Sequence, residues 1–419
     1  MIIDGNDAKN VTFDEMCKSI FNTDGKAQKE RFDGLKAAHM STFGVPVQDF
    51  YSSPGRIEII GNHTDHNGGK VLCSAINFDT LAGVSYREDG IIEVKSAGYP
   101  MIRVDTAAPT FSAKEIGTSL ALVKGVVDYF VRSGKRVGGF SASMTANVPK
   151  GSGVSSSSSF ELIIAEILNV AYNDATLDAI FKAKASQYAE NVYFGKPSGL
   201  MDQSAIALGG VNLIDFYDLE SPAVKRAHWA FDDLDIYVIS TGGDHSNLTD
   251  DYAAIPAEMR QVAACFGKKL LCEIPKEQWD NEKTSVKSKV SDRAYLRAEH
   301  FFEENDRVEK AVSAIDSGDE KAFLDIVNKS GLSSRYKLQN TYSPTGKSRD
   351  LENALDKVVG VDGVVASRVH GGGFAGTILV LADKTKESTY GVLCKMFGDK
   401  NVFKLAIRED GATRLVWEE

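Results

Sequence analysis

Three short segments of this 419-residue chain concentrate side chains suited to phosphate, hydroxyl groups and a metal ion. The first is Gly151-Ser152-Gly153-Val154-Ser155-Ser156-Ser157-Ser158-Ser159, which runs into the apolar helical pattern Phe160–Asn169. Glycine lets backbone N–H groups approach an anion, and a helix N-terminus adds free donors and the positive end of a dipole. Serine hydroxyls add donors to phosphate or oxygen ligands to Mg²⁺. Ser158-Ser159-Phe160-Glu161 fits a capping box, which predicts the helix start. A flexible Gly/Ser linker is the plainer reading, disfavoured by the strand pattern Gly139–Val148 before it and the helix after it.

The second segment is Gly55-Arg56-Ile57-Glu58-Ile59-Ile60-Gly61-Asn62-His63-Thr64-Asp65-His66-Asn67-Gly68-Gly69. Asn62, His63, Thr64 and Asp65, packed into one turn after a strand, form a hydrogen-bonding array suited to a polyol. A structural turn with satisfied side chains is the alternative. A metal site at His63 and His66 is weak, because no HxxxH helix or cysteine accompanies it. The third comprises Glu190 and Gly195-Lys196-Pro197-Ser198-Gly199-Leu200-Met201-Asp202-Gln203. An acid at an apolar helix start, as at Asp202, is costly without a partner or a task; a local cap or pair is the bland account of it.

Two look-alikes drop out. Gly346-Lys347-Ser348 ends like a Walker A loop, but Thr341 stands where the leading glycine belongs. Gly371-Gly372-Gly373-Phe374-Ala375-Gly376 matches GxGxxG, yet the strand-like Thr377–Leu381 follows it, so a tight hairpin packed near the phosphate loop is expected.

The elements that must position these groups read as follows. One or two amphipathic helices span about 11–42. Strands follow at Arg56–Gly61, Lys70–Phe78, Leu81–Tyr86 and Ile91–Ser96, with helices at about 113–132, 158–172 and 177–193 and a short one near Leu200. Leu234–Ser240 opens a fresh pattern, with helices near 250–266, 292–317 and 320–330, then a strand–glycine–strand unit at 361–381. Strands and helices that do not alternate strictly indicate an α+β protein, and the length indicates two domains, 1–215 and 216–419.

Taken together, the segments resemble the GHMP kinases, and within them the galactokinase family. Residues 55–69 follow a sugar signature similar to Gly-Arg-x-x-x-Ile-Gly-Glu-His-Thr-Asp-Tyr-Asn-Gly-Gly. Residues 149–157 resemble Pro-x-Gly-x-Gly-Leu-Ser-Ser-Ser, with Val154 for Leu. Residues 199–203 resemble Gly-Ile-Met-Asp-Gln, and residues 370–376 the C-terminal glycine motif. The resemblance implies a two-domain GHMP-kinase-like α+β fold with ATP and sugar meeting in the inter-domain cleft. It implies Asp202 and Arg56 at the reacting centre, residues 151–157 (Gly151, Ser152, Gly153, Val154, Ser155, Ser156, Ser157) around the triphosphate, and Ser157 and Glu190 on Mg²⁺. Asn62, His63, Thr64, Asp65 and Tyr252 are implied sugar contacts. The implied reaction moves the γ-phosphoryl group of ATP to the anomeric hydroxyl of galactose.

Asn62 replaces the pattern's glutamate and His66 its tyrosine. The neutral Asn62 amide is therefore expected to tune which C6 substituent is accepted, and galacturonate or N-acetylgalactosamine stands as the alternative sugar. A non-catalytic sugar sensor resembles a scaffold with a shortened serine loop, whereas Ser155–Ser159 here meets Phe160 without a gap.

Bulk properties bound the remainder. A composition 43% hydrophobic and 25% charged is that of a globular protein. A net charge of −10 disfavours a nucleic-acid surface. No apolar run approaches a bilayer span, and the acidic, unbasic start Met1–Asp7 does not read as a signal peptide, so a cytoplasmic monomer acting on small molecules is expected. The five cysteines are scattered without a CxxC, which points to reduced thiols with no catalytic role.

Overall fold

A computed structural model describes residues 11–148, 153–242, 248–343, 349–374 and 376–418. Gly151, Ser152 and the Gly346-Lys347-Ser348 look-alike lie outside them. In chain order the strands are β1 (Asp49–Ile60), β2 (Lys70–Arg87), β3 (Ile91–Ser96), β4 (Ile102–Asp105), β5 (Gly139–Ala146), β6 (Val211–Asp215), β7 (Ala223–Ala227), β8 (Leu234–Ser240), β9 (Val364–His370), β10 (Thr377–Asp383), β11 (Val402–Leu405) and β12 (Thr413–Leu415).

They make two sheets. The first runs β12-β1-β2-β5-β3-β4, with the hairpin β6-β7 added to the far end of β2; the second runs β11-β8-β10-β9. The strand β7 lies beyond the expected split after residue 215 yet pairs with the first sheet, and β12 returns to that sheet from the other end of the chain. The crossing between sheets therefore falls between Ala227 and Leu234.

The strands expected at 70–78 and 81–86 form the single strand β2. Asn-Phe-Asp-Thr at 77–80 looks like a turn in sequence, but each polar group has a partner that lets the strand continue. Buried Asp79 takes Arg31 Nη1 at 2.6 Å and Ser52 Oγ at 2.5 Å, and Asn77 Oδ1 takes the Ala406 N–H. Helices at Lys276–Lys287, Asp350–Val358 and Ser388–Phe397 carry no expectation above. The first is largely polar in sequence and packs through buried Trp279 and Val286. Among the described residues no helix is long and apolar enough to cross a membrane. All five cysteines are free thiols.

The two sheets share a core. Ile57, Ile59, Ile60, Leu72 and Ile76 of the first sheet pack in one cluster with Val238, Leu379 and Leu381 of the second, joined by Val308, Val312 and Phe323 from the helices Asp292–Ser317 and Glu320–Ser333. A separate cluster fills the space between the first sheet and the helices Ser119–Arg132 and Ser156–Tyr172. The apolar junction holds β1, and the turn that follows it, against the hairpin β9–β10.

Candidate active site

The described part of the phosphate loop begins at Gly153, an exposed residue with φ of +70°. Ser155 also lies in the left-handed region, φ +62°, and is the residue before a helix that starts at Ser156, three residues earlier than the capping-box reading places it. That capping box does not form. Ser158 and Ser159 are inside the helix and buried, Ser159 Oγ donates to the Ser53 carbonyl (2.7 Å), and Glu161 is turned inward to accept from Ser186 Oγ. The serine run divides by helical geometry: Ser155, Ser156 and Ser157 are half-buried, while Val154, Ser158 and Ser159 belong to the interior.

Arg56 on β1 reaches this loop and the third segment together. Its Nε and Nη2 donate to the two carboxylate oxygens of Asp202 at 2.9 and 2.8 Å, and Nη1 donates to the Gly153 carbonyl. Such a two-pronged pair fixes orientation as well as charge. Ser155 Oγ donates to the same carboxylate. Asp202 sits in the first turn of the helix Met201–Leu208. Burial pushes its acidity down, but Arg56, Ser155 and Lys196 outweigh that and hold its pKa below the ordinary carboxylate value. It is an ionised, oriented acceptor.

Glu190 enters from a π-helical turn, Ala189–Phe194, that continues the helix Ala179–Tyr188. Such turns insert one residue and re-aim a side chain. Glu190 is 1% exposed, and Oε1 takes Ser157 Oγ (2.8 Å) and Lys196 Nζ (3.1 Å) while Oε2 takes Gln203 Nε2 (2.9 Å). Behind it Glu161 Oε1 is buried without a hydrogen-bond partner, and burial together with the charge of Glu190 pushes the Glu161 pKa well up. Ser157 and Glu190 offer two hard oxygens side by side, a donor set that suits Mg²⁺, which takes one or two protein oxygens beside phosphate and water.

The sugar-signature turn is held from the second sheet. The three consecutive carbonyls of the β9–β10 turn each receive a side chain: Asn62 Nδ2 donates to Gly371 O (2.7 Å), His63 Nε2 to Gly372 O (2.8 Å) and Tyr252 Oη to Gly373 O (2.9 Å). A β-carbon at residue 372 would run into the Tyr252 ring, so the turn must be glycine there. Thr64 Oγ1 donates to Lys70 O at 2.6 Å, with Gly61 O also within reach at 2.9 Å. Asn62 is wholly buried. Besides Gly371 O, its amide donates to the Glu58 carboxylate (3.0 Å), and its oxygen accepts from Asn340 Nδ2 (2.6 Å). Every polar atom of that side chain is therefore engaged with protein. In the same turn His63 stacks on His66 at 5.8 Å, and Asp65 lies beside Gly199. Burial lowers the His63 pKa to about 3, so the ring is neutral and donates from Nε2.

The structure thus brings Arg56, Asp202, Ser155, Ser157 and Glu190 together. Lys196 and Gln203, both beside sequence motifs, join them. Asn340 and Arg368, whose guanidinium meets buried Glu58 at 2.7 Å, complete the backing of the sugar turn, and no local pattern marks either of them.

Two family models match the chain: the galactokinase galactose-binding signature over residues 37–86 and the GHMP kinase N-terminal domain over residues 121–210. A galactokinase of Clostridium tetani is 30% identical over 357 residues, covering 84% of this chain and 88% of the relative. The fold matches that of Lactococcus lactis galactokinase complexed with galactose, with a TM-score of 0.79, 24% identity and coverage of 91% of this chain and 99% of that one. The Methanococcus jannaschii mevalonate kinase is a more distant neighbour, at a TM-score of 0.59 and 15% identity over 85% of this chain and 98% of its own. On the strength of a relative 30% identical over 84% of the chain and the galactose-binding signature, this chain belongs to the galactokinase family of the GHMP kinases.

Proposed function

We propose that this protein transfers the γ-phosphoryl group of ATP to the anomeric hydroxyl of galactose, giving galactose 1-phosphate and ADP. The observation that carries the reading is the Arg56–Asp202 pair, which joins strand β1, leading into the sugar turn, to the phosphate loop and the helix Met201–Leu208. Phosphoryl transfer needs alignment and charge stabilisation more than covalent chemistry. Asp202, ionised and fixed by Arg56, accepts the hydrogen bond and then the proton of the attacking hydroxyl. Arg56 balances the charge between that carboxylate and the transferring group. Residues 151–157 take the phosphates with backbone N–H groups and hydroxyls at the N-terminus of Ser156–Tyr172. Ser157 and Glu190 are the residues to hold Mg²⁺, which when bound neutralises charge on the phosphates. His63, Asp65 and Tyr252 meet the sugar, with Asn62 and Thr64 holding the turn in shape.

The test is a panel of hexoses with purified protein, ATP and Mg²⁺. The expected outcome is galactose-dependent ADP release with a C1-phosphorylated product, and a Glu190→Gln variant that needs more Mg²⁺ and turns over more slowly. Absence of any sugar-dependent ADP release would overturn the reading; preference for galacturonate over galactose would move the substrate and leave the reaction.

A further inference from the structure

Glu190 is 1% exposed, and two further acids, Glu161 and Asp202, act on the same space. Arg56 neutralises Asp202 through two hydrogen bonds. Glu190 has neutral donors from Ser157 and Gln203, and its one cationic partner among the described residues is Lys196. A buried carboxylate without a counter-charge is strongly disfavoured, and this ammonium, 3.1 Å away, is the counter-charge placed beside Glu190 in the protein alone.

The lysine is built differently from Arg56. Its root is fixed: the Lys196 N–H donates to the Glu190 carbonyl at 3.0 Å, just after Gly195 ends the π-helical turn at φ +82°. Its head is not fixed. The side chain is 53% exposed and makes a single hydrogen bond among the described residues, to the Glu190 oxygen that Ser157 also meets. Arg56, by contrast, has a side chain only 6% exposed and is bonded at three nitrogens. A flexible stem with a compact charge at its end is suited to leaving and returning.

We propose that Lys196 is the resident cation of the Glu190 carboxylate, and that a divalent ion exchanges with it when nucleotide arrives. The proposal rests on the reading of Ser157 and Glu190 as metal ligands. Two positive groups do not share one carboxylate oxygen in a closed site without repulsion, so metal occupancy requires the ammonium to swing out. Lys196 then acts as a competitor that lowers the affinity of the nucleotide-free protein for free metal, and ties metal entry to the arrival of phosphate.

The experiment is direct Mn²⁺ binding, read from the electron paramagnetic resonance of free Mn²⁺ with no nucleotide and no sugar present. It compares the parent with Lys196→Met, Lys196→Gln and Lys196→Arg, after circular dichroism shows each to be folded. If the ammonium occupies the site nine-tenths of the time, its removal tightens Mn²⁺ binding about 10-fold, because apparent affinity scales with the open fraction. Lys196→Arg is expected to stay close to the parent. Equal or weaker Mn²⁺ binding by both Lys196→Met and Lys196→Gln, including no binding by any of the proteins, overturns the exchange. Adding Glu190→Gln separates the two levels. If that change abolishes Mn²⁺ binding while the lysine variants match the parent, the metal assignment stands and the exchange falls. If tight Mn²⁺ binding in Lys196→Met survives Glu190→Gln, the metal assignment itself is wrong.

Discussion

The two sides of the cleft are finished to different degrees. On the sugar side, Asn62, His63, Thr64 and Tyr252 all have protein partners, and three of them are bonded to consecutive carbonyls from the other sheet. On the phosphate side, Gly153 is exposed, Ser155 and Ser157 are half-buried, Glu161 keeps an unpartnered oxygen and Lys196 is held by one contact. The sugar side is assembled before any ligand arrives, so its binding surface costs little ordering on contact. The phosphate side keeps donors and charges whose final partners come with the nucleotide. The neutral sugar offers only hydrogen bonds, which reward fixed geometry, whereas phosphate brings charge strong enough to rearrange flexible groups.

Substitutions on either side can break that contrast. The largest effect is expected at the point where the two sides meet. Asp202→Asn should lower kcat by about 10²–10⁴-fold while ATP and sugar still bind, as isothermal titration would show; unchanged turnover would take Asp202 out of the chemistry. Next comes the wall of the sugar side. Asn62→Ala removes a hydrogen-bond partner from Glu58, Asn340 and the Gly371 carbonyl, and should lower unfolding free energy by about 1–3 kcal/mol in denaturant titration. A stable variant with only an altered sugar preference would instead put residue 62 in the pocket.

A smaller and more selective effect is expected from Gly372→Ala. The added methyl group displaces Tyr252, so KM for sugar should rise ~10-fold with KM for ATP unmoved. Equal shifts in both constants would mean that the glycine turn serves both sides. The smallest effect is a pH slope. Burial lowers His63 to about 3 and His300, which donates to the Asn62 carbonyl, to about 4. As pH falls below about 6.5 the unfolded chain takes up protons that the folded one refuses, so stability is full above that pH and declines beneath it. Each histidine should account for about 1 kcal/mol between pH 6.5 and 5.5, and His300→Gln should flatten the slope measured by denaturant titration at a series of pH values.

The legibility of these parts in the sequence follows their reach along the chain. Asp202 and Gln203 lie in one motif, and the strand character of Thr377–Leu381 correctly distinguishes the glycine turn from a dinucleotide loop. The helix Asp292–Ser317 is evident from its periodicity. What escaped depends on distant partners. β2 continues through Asp79 because Arg31 and Ser52 neutralise it, and the capping box fails because Glu161 finds Ser186 across the core. Asn62 reads as a ligand contact from its place in the motif, and its bond to Asn340, far along the chain, carries no local signal.

The returning strand β12 has a consequence for synthesis. Phe50, Tyr51 and Ser52 of β1 are made long before the residues that pair with their outer edge, Thr413–Leu415. Leu415 and Trp417 also close an aromatic group around Phe13, Phe32 and Phe50, with Phe32 and Phe50 centred 4.9 Å apart. Throughout elongation the nascent chain therefore carries an open strand edge beside uncovered aromatic rings, the combination that invites pairing with the wrong neighbour. Translation speed and chaperone supply, more than the stability of the finished enzyme, should then govern how much of it a cell recovers in native form.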